Sequence, residues 1–377
     1  MRRLTPAILL VAVALAGCGG NGSADHPSPA GTDTASASTS PAPRRSTAAS
    51  STGSPKVIGT IATGLSVPWG VAFLPDGSAL VTERDTGRVL HLTGSGDQWK
   101  VDVVGHIAEH SVSGGESGLL GVAVSPSYDT DHRVFFYVST SSDNRVVRTT
   151  YRDGHLGTIE PVLTGIPMGI HHDGGRLAFG PDGYLYVSTG ESGVESLAQD
   201  KSSLGGKILR ITQSGKRAPG DPWPDSPVWS WGHRNIQGLV FDPAGRLWAS
   251  EFGDREYDEL NLIREGGNYG WPYVQGRSNN PAYVNPAVQW PTEEASSSGL
   301  ALAGGSFWLA ALRGERLWRV PVHGRTTGTP KAYFIGRYGR MRTVVTTPDG
   351  NLWLTTSNRD GRGEPKAGDD RILLVRP

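Results

Sequence analysis

The sequence predicts an all-β fold, a six-bladed β-propeller, on three observations. A hairpin-like stretch recurs six times from residue 56 onward, starting at Pro68, Gly118, Gly174, Ile236, Ser297 and Arg342. The copies are spaced by about 45 to 60 residues, the length of a four-stranded blade. No long segment keeps a helical apolar period, so strands must supply the core.

Each copy is an apolar strand, a turn and a second strand. In "PWGVAFLPDGSALVTER", "GGRLAFGPDGYLYVSTGE" and "RTVVTTPDGNLWLTTSN" the turn is Pro-Asp-Gly; in "IQGLVFDPAGRLWASEFG" it is Pro-Ala-Gly. Proline sets φ, aspartate bonds back to the backbone, and glycine accepts a positive φ. "GLLGVAVSPSYDTDHRVFFYVS" and "SSGLALAGGSFWLAAL" keep the paired strands with other turns. The strands are rich in Val, Leu, Phe, Trp and Tyr, with partial alternation. A propeller must close its ring. "KVIGTIATG" from Lys56 and "RILLVRP" from Arg371 are good strands at the two ends of the domain and are expected to close it. A pair of β-sandwiches is the alternative arrangement of such strands.

Three segments follow from composition. Residues 1–18 read as a lipoprotein signal: a basic start, "PAILLVAVALAG" too short to span a bilayer, then "LAGC" ending at Cys18. Cys18 is the single cysteine of the chain, so an intrachain disulfide and a cysteine metal site are excluded. Lipidation there predicts an extracytoplasmic domain anchored to the bacterial cell membrane. Residues 19–55 are Ser, Thr, Ala, Pro and Gly with little apolar bulk, which reads as a disordered tether. Residues 56–377 form the propeller. The 36 basic and 36 acidic residues cancel, giving no support for a nucleic-acid partner.

Functional residues of a propeller gather in loops at one end of its channel. Stretches that depart from the repeat just before an inner strand are therefore the site candidates. "GGESGLLG" presents Glu116. "HHDGGR" presents His171, His172, Asp173 and Arg176. "WGHRNIQG" presents His233, Arg234 and Asn235. "EFGDREYDELNLIREGGNYGWP" carries Glu251, Asp254, Asp258 and Glu259. Arg313 follows in blade five, and Arg337, Arg340 and Arg342 precede blade six. Converging arginines suit a ligand with several carboxylates or phosphates. The acidic run with carbonyl-rich "GGNYG" offers the oxygen ligands calcium takes. Arg340 and Arg342, two residues apart, should point the same way. His171 and His172, in an extended backbone, should point opposite ways.

Together, "VPWGVAFLPDG", "GLLGVA", "H-x-GGR", "GHRN-x-QG" and "DE-x-N…GGNYGWP" resemble the glucose/sorbosone dehydrogenase family. These are soluble quinoprotein glucose dehydrogenases and aldose sugar dehydrogenases that use pyrroloquinoline quinone (PQQ) and calcium. The resemblance runs from about residue 56 to the end. It implies that His172 is the catalytic base and that Arg234 and Asn235 contact cofactor and substrate. It implies further cofactor contacts at Glu116, Gln199, Arg313, Arg340 and Arg342. Gly253 and Asp254 match carbonyl ligands of a calcium beneath PQQ, and Glu259 with the Tyr269 carbonyl matches a second calcium site. The chain departs from the family at His171, where Asp or Asn is usual. It departs also at Glu116 (Gln in some members), Asp254 (often Pro) and Arg313 (a lysine).

The implied activity is oxidation of aldoses at C1 to aldonolactones, with electrons then passed to an external acceptor. No G-x-G-x-x-G follows a strand, which disfavours a nicotinamide. Two other classes fit parts of the sequence. One is a calcium-dependent propeller lactonase, which needs side-chain carboxylates around a metal and no arginine cage. The other is a non-catalytic binding lipoprotein.

Overall fold

The computed structural model describes residues 53–96, 98–107 and 114–377. The first predicted segment, with Cys18, and residues 19–52 of the second lie outside the described residues. Among the described residues no helix is long and apolar enough to cross a membrane.

The strands form six antiparallel sheets, each paired in chain order from its inner strand outward. Blade 1 is Pro68–Phe73, Ala79–Glu83, Arg88–Ser95 and Gln98–His106. Blade 2 is Leu119–Val124, Arg133–Ser139, Asn144–Arg152 and Glu160–Ile166. Blade 3 is Leu177–Phe179, Leu185–Ser188, Lys207–Ile211 and Val228–Trp231. Blade 4 is Asn235–Phe241, Leu247–Phe252, Tyr257–Leu262 and Val288–Pro291. Blade 5 is Ser297–Ala303, Ser306–Ala311, Arg316–His323 and Lys331–Tyr333. Blade 6 is Met341–Thr346, Leu352–Thr356 and Ile372–Arg376, completed by Lys56–Ala62 from the other end of the domain. That last pairing runs from Lys56 opposite Arg376 to Ala62 opposite Ile372, so the expected closure is what forms.

Apolar packing between neighbouring blades makes the core. Trp248, Trp308 and Trp353 occupy the same place in their repeats, three residues past the turn glycine, and all are at most 1 % exposed. Trp248 packs on Leu300 and Phe307 of the next blade, and Trp353 on Val71 and Ala79 of blade 1. Each indole removes a large apolar area from water at a seam.

A second repeat feature stitches the inner strands. Thr82, Ser188, Ser250 and Thr355 lie five residues past the turn glycine. Each hydroxyl donates to a carbonyl of the next inner strand: Leu120, Ile236, Ser298 and Pro68 respectively. Tyr137 Oη donates to the Asp173 carbonyl at 2.7 Å, in the loop that enters the next inner strand. Between blades 5 and 6 the strands meet directly: a Cβ on Gly299 would lie 2.7 Å from Thr343 Cα, so only glycine fits. These contacts tighten the ring at its axis. The loops that enter the inner strands and those between second and third strands share one end, where the site residues collect.

Candidate active site

His172 sits in the loop before blade 3 with φ of 62°, a left-handed conformation that few non-glycine residues adopt. Its backbone N–H donates to Glu116 Oε2 at 3.0 Å, and its carbonyl accepts from Ser192 N at 3.1 Å. Its Nδ1 lies 2.6 Å from Glu191 Oε1. Glu191 is buried (1 %), and the imidazole is 12 % exposed. An ionised carboxylate can only accept, so Nδ1 carries the proton and Nε2 is left as the acceptor. Among the described residues nothing bonds Nε2. Because the backbone here is left-handed, the two histidines do not point opposite ways: their rings meet edge to face, 4.3 Å between centroids. The expectation of opposed side chains fails for that reason. Burial first, then the charge of His172, push the His171 imidazole below its ordinary range.

Glu116 gathers groups from three other blades. Its Oε2 accepts also from Asn235 Nδ2 at 3.3 Å, and its Oε1 from Arg362 Nη1 at 2.8 Å. Burial acts to raise this carboxyl, but the hydrogen bond and charge of Arg362 outweigh it and hold it below the ordinary value. Asn235 Oδ1 accepts from Gly174 N at 3.0 Å, tying the histidine loop to blade 4.

Arg234 N donates to Glu251 Oε1 at 2.7 Å. Its guanidinium donates to the Gly253 carbonyl (2.6 Å) and to Asp254 Oδ1 (2.9 Å), and lies 5.2 Å from the Trp271 ring. The buried Nε has no partner. Behind it stands a second histidine–carboxylate pair: His233 Nδ1 is 2.8 Å from Glu251 Oε2, and Ser230 Oγ is 2.8 Å from Nε2. His233 is fully buried, its ring stacked on Tyr269 at 4.4 Å.

Glu251, Gly253, Glu259 and Tyr269 line a cavity of about 10 Å³, room for one water-sized occupant. Burial, then the charge of Glu251, raise the Glu259 carboxyl to about 8. The Asn261 amide donates to both carboxylates, while its buried Oδ1 has no partner. Two crowded carboxylates beside an orphaned amide oxygen are a donor set that fits a hard cation.

Arg340 and Arg342 do point the same way: both reach Asp360 Oδ2 at 3.0 Å. Arg342 is 3 % exposed, and burial lowers it to about 10 despite Asp360. Arg176, also buried, donates to the Gln237 carbonyl and Thr343 Oγ1 and stacks 4.3 Å over Trp69. Burial and the charge of Arg342 lower it to about 9, and no carboxylate pairs with it among the described residues. Buried guanidiniums thus outnumber the carboxylates beside them, which fits a polycarboxylate ligand. Arg313 is exposed on the blade 5 loop, close enough for its charge to act on Asp258. The Gln199 amide bonds Asn268 and the Trp271 carbonyl, holding the "GGNYGW" loop against blade 3.

A family model described as Glucose / Sorbosone dehydrogenase matches residues 65–374. The chain belongs to that family. A PQQ-bound aldose sugar dehydrogenase from Streptomyces coelicolor is 50 % identical, with a TM-score of 0.83 over 86 % of this chain and 98 % of its own. The aldose sugar dehydrogenase YliI of Escherichia coli K12 is 28 % identical over 78 % of this chain and 88 % of its own. Quinoprotein glucose dehydrogenase B of Acinetobacter calcoaceticus is 31 % identical over 65 % and 59 %. The domain is an oxidoreductase of the PQQ-dependent sugar dehydrogenase type.

Two residues escaped the sequence reading. Glu191 ends the third repeat, two positions beyond the place where Glu83 and Glu251 end theirs. A carboxylate closing a repeat that also opens with histidines was the available signal. Asp360 had none, since it lies in the loop of blade 6 with no motif around it.

Proposed function

We propose that this domain oxidises aldose sugars at C1 to aldonolactones with PQQ and calcium, and that His172 is the base. The observation that carries the reading is the His172–Glu191 pair, which leaves Nε2 without a partner among the described residues, on a loop linked through Glu116, Arg362 and Asp360 to the buried Arg340 and Arg342. PQQ, when bound, would supply an ortho-quinone able to accept the hydride, with calcium as its Lewis acid.

The chain's own groups do the rest. His172 Nε2 takes the proton of the anomeric hydroxyl, and Glu191 holds the ring in the right tautomer and stabilises the imidazolium. Glu116 fixes the strained His172 backbone. Arg340 and Arg342 hold cofactor carboxylates. Arg234 offers positive charge where negative charge develops, and Asn235 orients both ligands. The carbonyls of Gly253 and Asp254 would hold a calcium, the first of them given up by the Arg234 guanidinium, and Glu259 with the Tyr269 carbonyl would hold a second, structural one. Glu116, Gln199 and Arg313 complete the cofactor's surroundings.

The buried arginines Arg176, Arg340 and Arg342 disfavour the lactonase reading, which needs no arginine cage. The intact base and arginine pair disfavour a purely binding role. The leader and "LAGC" support an extracytoplasmic domain anchored at Cys18, which passes its electrons to an external acceptor. The test is reconstitution: apo-protein mixed with PQQ and Ca²⁺ should reduce a dye when glucose is added. A protein that binds both and reduces no dye with any aldose overturns the proposal.

A further inference from the structure

Glu116 and Arg362 are 246 residues apart in the chain. Glu116 precedes blade 2, and Arg362 lies in the blade 6 loop between Leu352–Thr356 and Ile372–Arg376. Blade 1 stands between those blades in the ring, so the bond crosses the end of that blade. Arg362 is half-exposed (54 %) and the Glu116 carboxylate mostly buried (13 %). The charges of Glu116, Arg84, Arg340 and Asp360 all act on Arg342, which places the ion pair beside the arginine cluster.

The strap is tied at both ends. Arg362 N donates to Asp360 Oδ1 at 3.0 Å, and the other oxygen of that carboxylate takes Arg340 and Arg342. Glu116 Oε2 takes the His172 N–H. One polar chain therefore runs from the paired arginines to the backbone of the base.

An ionised Glu116 beside a site for a polycarboxylate repels that ligand unless its charge is balanced. Arg362 balances it here. Because Arg362 is half-exposed, it can swing without leaving a buried guanidinium unpaired. Arg84, Arg340 and Arg342 have no such freedom, being 8 % exposed or less. We propose that Arg362 is a further ligand-binding arginine, which exchanges Glu116 for a carboxylate of the bound cofactor. The proposal rests on the reading of Arg340 and Arg342 as carboxylate holders. It makes Glu116, where some family members have glutamine, the resting partner of a mobile arginine.

Stopped-flow tryptophan fluorescence, with PQQ and separately with redox-inert benzene-1,2,4-tricarboxylate, tests this on the full chain. Arg362→Gln should raise the dissociation rate of both ligands about tenfold, the loss of one charged hydrogen bond. Arg362→Lys should recover part of that. Glu116→Gln, which frees Arg362 beforehand, should speed association of both. Unchanged rates in Arg362→Gln, with both ligands still binding, overturn the strap and leave the cofactor assignment standing. If the tricarboxylate binds and responds to Arg362→Gln while PQQ does not bind, the cofactor assignment falls and the strap stands. If neither ligand binds wild type, both fall.

Discussion

The domain holds two histidine–glutamate pairs, one in blade 3 and one in blade 4. In both, Nδ1 meets a buried glutamate within 2.8 Å. They differ at the other nitrogen. His233 Nε2 is bonded to Ser230 in a fully buried site, under the ring of Tyr269. Among the described residues His172 Nε2 has no partner, on a ring that is 12 % exposed. The carboxylate partner therefore does not by itself make a base. Access of the second nitrogen separates an imidazole able to serve as the proposed base from one that locks blades together, although the Ser230–His233–Glu251 order mimics a nucleophilic triad.

The largest effects should come from exchanging these two histidines. His172→Gln removes the proton acceptor and should lower kcat about 10²-fold or more, with PQQ affinity and denaturant midpoint kept. His233→Leu takes the ring donor from Glu251, which keeps Arg234 N and the Asn261 amide, and leaves Ser230 Oγ without its partner in the core, so it should lose about 2–4 kcal/mol of stability in denaturant melts. Catalysis lost in the second with stability intact, or the reverse in the first, would break the comparison.

Glu191→Gln sharpens it from the carboxylate side. The amide can still accept from Nδ1, but it meets the Gly193 N–H, a second donor on this carboxylate, less well. We expect kcat to fall about tenfold, within the range for orienting partners, with PQQ affinity unchanged. A parallel loss of PQQ affinity would mean that Glu191 acts on the cofactor instead.

The smallest effect concerns Asp173, the neighbour of the proposed base. Burial raises its carboxyl from 3.8 to about 6, and its Oδ2 has no partner. The folded state then holds more protons than the unfolded one between about pH 4 and 6. Stability therefore falls as pH rises through that window. Above it, the ionised carboxylate costs about 1–3 kcal/mol. Asp173→Asn stays neutral, so it should match wild type near pH 4 and exceed it above pH 6 in denaturant melts. Equal curves at both pH values would show that Asn144 and Gly169, which bond Oδ1, already satisfy the charge.

The turns made the fold legible. Pro-Asp-Gly and its variants mark the hairpins, and a strand at each end of the domain predicted the seam of blade 6. The interblade hydroxyls were legible too, since Thr82, Ser188, Ser250 and Thr355 share one repeat position, yet a turn-centred reading passes over them. The site was legible where chemistry sits in a short motif: His172, Arg234 and the Arg340–Arg342 pair stand where loops enter inner strands. Partners contributed by distant loops were not. Asp360 reaches the two arginines from 18 and 20 residues away, and Arg362 reaches Glu116 across blade 1. Local periodicity carries no information about which loops face each other over a channel. The direction of His171 was misread because the left-handed turn at His172 has no glycine to announce it.

The pairing of Lys56–Ala62 with Ile372–Arg376 sets an order of events in folding. Each of the first five blades is built from neighbouring hairpins and can form as the chain emerges. The sixth joins the first strand of the domain to the strand furthest from it along the sequence. Closing a loop of roughly 310 residues costs about 5 kcal/mol in chain entropy beyond a constant. Prior folding of the intervening blades reduces that cost by holding the ends near each other. Until the final residues arrive, the outer edge of blade 6 is an unpaired strand open to other chains. A chain that stops before Ile372 keeps that edge, and its characteristic failure is aggregation during synthesis.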